Sequence, residues 1–141
     1  MNARFWIAAG GLLGCASVAL GAFGAHGLPR QLAAADFDAE QIARRLDLFQ
    51  TAARYQMYTA LALLFVGLFS RQSPSRLANA AGWLLLLGVA IFSGLLDVMT
   101  FAGPSWNWLG AIVPIGGAMM IAGWALVAVA GWRAKTYRPS K

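Results

Sequence analysis

The sequence predicts an all-α polytopic membrane protein, a four-transmembrane-helix bundle with an amphipathic helix between spans 1 and 2. Three observations carry the prediction. The chain is 60% hydrophobic and 11% charged over 141 residues, more apolar surface than one soluble domain of that length can hide. Its charged residues leave uncharged runs long enough to cross a bilayer. Its basic residues flank those runs and form no patch, so the net charge of +6 does not point to nucleic acid as a partner.

The first span is predicted at about 5–25, since no formally charged residue falls between Arg4 and Arg30. Its apolar core is too long for a secretory signal peptide, and the expectation is a retained helix. Gly10, Gly14, Ser17 and Gly21 recur at three- to four-residue steps, with Gly24 following, a face that lets another helix approach closely. Packing within the chain is the expected use; a homo-oligomer through this face is the alternative. Cys15 lies mid-span as the one cysteine, which excludes an intrachain disulfide and a thiolate metal site.

His26 closes the span ahead of Gly27-Leu28-Pro29, and a hydrophilic region follows from Arg30 to Thr51. Asp38 with Gln41 reads as a helix N-cap with its capping-box partner. Ile42, Leu46, Phe49 and Ala53 then recur at helical spacing, with Arg44, Arg45 and Asp47 off that stripe, so an amphipathic helix is predicted at about 38–50. Joined to the second span it would be roughly 50 Å long, too long for the hydrocarbon. Either it protrudes or it bends near Gln50 and lies along the interface; the bend is the expectation.

The second span is placed at about 52–70. Its uncharged part, Tyr55 to Ser70, makes only roughly 24 Å of helix, which holds Arg54 at the edge of a roughly 30 Å core. Arg71 to Arg76 is a polar turn. The third span, about 78–102, carries Gly82, Gly88 and Gly94 for packing and Asp97 in its last third. The fourth, about 108–132, contains Gly116 and Gly117, with Pro114 near its start, where a missing N–H costs least. The chain is read as a single membrane domain, 1–141.

Four spans put both termini and the 71–76 turn on one side. Arg4, Arg71, Arg76, Arg133, Lys135, Arg138 and Lys141 lie there, against Arg30, Arg44, Arg45 and Arg54 on the other. The excess predicts cytoplasmic termini.

Four stretches also resemble a known family. Gly21-Ala-Phe-Gly-Ala-His-Gly-Leu28, Thr51-Ala-Ala-Arg54-Tyr55-Gln56-Met57-Tyr58, Phe92-Ser-Gly94 and Leu109-Gly-Ala-Ile-Val-Pro-Ile-Gly-Gly117 are similar to the small membrane proteins called domain of unknown function 423. The resemblance covers nearly the whole chain. It implies four helical spans in a bacterial inner membrane, or in mitochondria for eukaryotic relatives, and it implies no reaction. Thr59 departs from a frequent His of the family, Val113 from a common Thr, and Asp97 from an uncharged residue, so a two-histidine site is excluded here.

In this threading the polar residues of the spans gather in the outer third: His26, Arg54, Tyr55, Gln56, Tyr58, Asp97 and Asn107. Ionisable groups at membrane depth are costly and mark either function or mutual satisfaction. Two readings stay open, a structural clasp and a site for a substrate, ion or lipid head group. Arg54 suits a phosphate or carboxylate, so a lipid head group is the ligand named first. Arg54 and Asp97 are expected to face each other, with His26 and Tyr58 nearby. One histidine cannot ligate haem from both sides, and no catalytic motif is present, so neither an enzyme nor a cofactor or metal is expected. The remaining classes are a non-enzymatic protein that binds a lipid or a membrane partner, and a small oligomeric channel or transporter. A reporter active only in the cytoplasm should work when fused after Lys141; activity confined to an externally active reporter would reverse the threading.

Overall fold

The computed structural model describes residues 3–35, 37–102 and 104–134. Lys135, Arg138 and Lys141, counted in the charge balance, lie outside them. The elements in order are α1 (Ala3–His26), α2 (Leu28–Ala33), α3 (Ala39–Gln72), α4 (Arg76–Phe101), a 3-10 helix (Pro104–Ala111) and α5 (Val113–Trp132). Four helices are long and apolar enough to cross a membrane, the fourth counted from Trp106 to Trp132.

The helix ends follow local chemistry. Asp38 and Gln41 close a capping box: the Gln41 N–H donates to Asp38 Oδ1 at 2.8 Å, and the Asp38 N–H to Gln41 Oε1 at 3.3 Å. Ser75 caps α4 through the Ala78 N–H. Pro114 sits in the first turn of α5, whose α-helical part begins at Val113 and not at the expected 108. The segment before it winds as 3-10 helix.

The main helices pack in the order α1–α3–α4–α5, and no extended contact joins α1 to α5 among the described residues. Glycines set the close approaches. A Cβ on Gly10 would lie 2.8 Å from the Ala60 carbonyl oxygen, and one on Gly67 would lie 2.9 Å from the Ile7 nitrogen, so α1 and α3 meet backbone to backbone. Gly88 and Gly116 do the same for α4 and α5: a Cβ on Gly116 would fall 2.6 Å from the Phe92 nitrogen and 2.7 Å from the Gly88 oxygen. Gly24 receives the Phe49 ring, Gly14 touches the Ala60 methyl, and Gly117 touches the Phe92 ring. Gly21 and Gly94 meet no atom within 4 Å, so the packing expected of them is not made. Gly10, Ser17 and Gly24 are the buried small residues of α1. Gly21 shares the seven-residue position of Gly14 beside that line, and where Gly14 still touches Ala60, nothing faces Gly21.

At the end that holds the described termini, Trp6 is 1% exposed and fills the space left by Gly82. Its indole N–H donates to Asn79 Oδ1 at 3.2 Å, and its ring meets Trp83 edge to face at 5.4 Å. Leu63, Val66, Ala78 and Leu85 extend this core. A second cluster at the opposite end joins Leu28, Leu32 and Phe49, with Leu20, Ile42 and Leu46 against it.

That second cluster corrects the expected bend. α3 runs unbroken for 34 residues, about 51 Å. The 38–50 segment does not turn along an interface, because α2 folds back and covers its apolar stripe with Leu28 and Leu32. Gly116→Ala should cost about 1–3 kcal/mol of stability in detergent by overpacking two backbones, whereas Gly94→Ala, with open space around it, should be neutral. A thermal melt that ranks them the other way would contradict the α4–α5 contact.

Candidate functional site

The α2-bearing end of α3 carries the polar residues. Ala52 and Ala53, small and buried, let both neighbours approach. Ser17 of α1 donates its hydroxyl to the Ala53 carbonyl at 2.8 Å, and Ser93 of α4 donates to the Ala52 carbonyl at 3.0 Å. One turn on, Gln56 Nε2 donates to Asp97 Oδ2 at 3.1 Å across the α3–α4 seam. The other oxygens of that pair, Gln56 Oε1 and Asp97 Oδ1, are buried without a hydrogen-bond partner, as is Thr59 Oγ1.

Asp97 is therefore paired with Gln56 and not with Arg54. No ion pair joins Arg54 to Asp97 among the described residues, and Arg54 is exposed. Residues two apart on a helix point in opposite directions. α3 turns Gln56 toward α4, and the same rotation sends Arg54 outward, where its long chain reaches polar surroundings alone. His26 and Tyr58 are exposed, as Arg54 is. Tyr58 instead packs edge to face on Tyr55 at 5.7 Å, and Tyr55 leans on Phe92 at 4.8 Å.

Asn107 lies elsewhere, in a pocket of about 120 Å³ between the start of α3 and the end of α4. Phe37, Gln41, Arg44, Arg45, Leu48, Met99 and Ala102 complete its walls. Arg45 is half-buried: its guanidinium donates to the Thr100 carbonyl and stacks over the Phe37 ring at 4.0 Å. A cation is suited to the C-terminal turn of α4, where carbonyls lack helical partners. Thr100 Oγ1 donates to the Leu96 carbonyl at 2.9 Å, within α4. Arg44 is exposed on the same pocket and makes no hydrogen bond or ion pair among the described residues.

The sequence reading missed Arg45, Ser17 and Ser93 as polar contacts. Arg45 lay off the apolar stripe and read as solvated, and its contact with Thr100 is visible only once α4 is placed. Ser17 read as a small packing residue and Ser93 only as part of a family-like stretch, although a hydroxyl at a close helix seam is itself a signal for a cross-helix hydrogen bond.

Comparison with known proteins fits this architecture. A family model described as "Protein of unknown function (DUF423)" matches residues 20–117. The chain belongs to that family. It is 37% identical over 130 residues to a UPF0382 membrane protein of Staphylococcus haemolyticus, covering 92% of this chain and 97% of that one. It is 34% identical over 128 residues to the UPF0382 membrane protein YwdK of Bacillus subtilis, covering 90% and 95%. No solved structure matches the chain. The DUF423 member is thus a bacterial-type membrane protein with four candidate spans.

Arg45→Ala should destabilise the protein by about 1–3 kcal/mol, by removing the bond to Thr100, while Arg54→Ala should stay within about 0.5 kcal/mol. Equal losses in chemical or thermal unfolding would restore Arg54 to a buried partnership.

Proposed function

We propose that this protein acts by binding and not by catalysis, and that its ligand is the anionic head group of a membrane lipid. The observation that carries the reading is the pocket at the start of α3. Arg44 and Arg45 both line it, Arg45 beside its bond to Thr100. Gln41 and Asn107 add carboxamide groups, and among the described residues no carboxylate lines the pocket. An arginine fork matches phosphate oxygens in geometry and charge. Phe37, Leu48 and Met99 form the apolar part of the wall, suited to the first carbons beyond a head group.

The surroundings favour a lipid over a soluble anion. Trp106 and Trp108 are exposed beside this end, the residue type that settles at a membrane interface. α3 extends past Arg54 by several turns, so in this reading the pocket lies outside the hydrocarbon, on the side of the head groups. An inner-membrane location with cytoplasmic termini would place the pocket in the outer leaflet. Arg54, exposed lower on the same helix, serves in this reading as an interface anchor.

Native mass spectrometry of the full chain, released from nanodiscs of phosphatidylcholine with added phosphatidylglycerol, tests the proposal. The protein should retain the anionic lipid selectively. Arg44→Ala should lower that retention about tenfold, the effect of losing one charge-assisted contact, without changing the melting temperature. Equal retention of both lipids, or no change with Arg44→Ala, would refute the head-group site.

A further inference from the structure

We propose that Gln56 and Asp97 form a binding site for one proton, held in a cyclic acid–amide pair between α3 and α4. Gln56 is 8% exposed, and its Nε2–H already donates to Asp97 Oδ2. What remains on the two side chains is a pair of buried oxygens, Gln56 Oε1 and Asp97 Oδ1, and neither has a partner. A carboxamide oxygen and a carboxylate oxygen are both acceptors, so neither can satisfy the other. One proton on Asp97 Oδ1 changes that. The resulting O–H donates to Gln56 Oε1 while Gln56 Nε2–H continues to donate to Oδ2, and both orphan acceptors are used at once. Turning the carboxamide over exchanges its two ends but still requires one proton to complete the ring.

The neighbouring charges leave the proton as the neutralising species. On α3, Arg45 is engaged by the Thr100 carbonyl and the Phe37 ring, and Arg54 is exposed. The 3-10 helix and α5, which also pack on α4, contain no charged or titratable side chain. α4 itself carries only Arg76 at its far end. A carboxylate at this seam would stand without a countercharge among the described residues, a costly arrangement in low dielectric. Asp97 also borders an open, shallow groove with Val98, Phe101, Ala102 and Trp106, so the pair lies close to the protein surface. Thr59 Oγ1, the third buried orphan, carries its own hydrogen and is not short of a proton. The site is thus a proton-linked latch: with the proton bound, Gln56 and Asp97 share two hydrogen bonds across the α3–α4 seam, and without it they share one and bury a charge.

Infrared difference spectroscopy on the purified full chain in nanodiscs reads the proton directly. At neutral pH the protein should show the C=O stretch of a protonated carboxyl, lost in Asp97→Asn and shifted in Gln56→Leu, where its partner is removed. Thr59→Val should leave the band in place. Asp97→Asn supplies an N–H at the position of the proposed O–H, so it should melt at or above the wild-type temperature, while Asp97→Ala should melt several degrees lower. Absence of the band from the folded protein at neutral pH would overturn the proposal, whatever the variants do. So would a melting temperature raised by sodium chloride but not by choline chloride and abolished in Thr59→Val, because that result would put a metal cation among the three oxygens.

Discussion

The architecture hangs on α3 being held from both sides at the same height. Adjacent carbonyls, Ala52 and Ala53, accept hydroxyl hydrogen bonds from Ser93 of α4 and Ser17 of α1. Hydrogen bonds of this kind in membrane proteins contribute about 0.6 kcal/mol on average, so they add little to stability. Their effect is on register. Successive residues on α3 differ by about 100° in direction, which places α1 and α4 on separate flanks of one helix. A glycine seam then carries the α1–α3 pair along its length, and slippage there by one residue would break both the Ser17 bond and the glycine contacts. The depth of every polar side chain at this end follows from that fixed register.

The same register explains what was legible in the sequence and what was not. Spans were legible because hydrocarbon demands long apolar runs, a requirement independent of any partner. The capping box of Asp38 and Gln41 was legible because it is local. The partner of Asp97 was not. Depth alone made Arg54 and Gln56 equal candidates, and only the rotation of α3 about its axis separates them. α2 was missed because six residues with Pro29 in the first turn carry too few periodic positions to stand out from a loop. The expected bend came from length, since roughly 50 Å of helix exceeds the hydrocarbon; without α2 nothing in the sequence showed how a protruding 38–50 segment would cover its apolar stripe.

Covering that stripe within the protein changes the character of the whole end. α3 can stand above the hydrocarbon because Leu28 and Leu32 meet Phe49, and because Phe49 in turn meets Phe23 and Phe101 edge to face at 5.9 and 6.1 Å. Arg45 ties the end of α4 to this cap. A small folded cap thus sits on a membrane-embedded body, with the arginine-lined pocket at their junction. The polar residues expected to form a single cluster divide accordingly. Gln56 and Asp97 belong to the α3–α4 seam, Asn107 to the cap, and His26, Arg54 and Tyr58 to the exposed surface.

The linear packing order has a consequence for how the molecule is assembled. α5 is apolar all round, and its buried residues are Gly116, Met120, Gly123 and Ala130. Its one long seam is with α4. α1 through α4 by themselves account for both serine bonds, the tryptophan seal and the covered cap. Without α5, the backbone around Gly88 would lie bare to lipid. α5 is thus a stave set against a nearly complete wall, and the groove around Gly88 is ready-made for it.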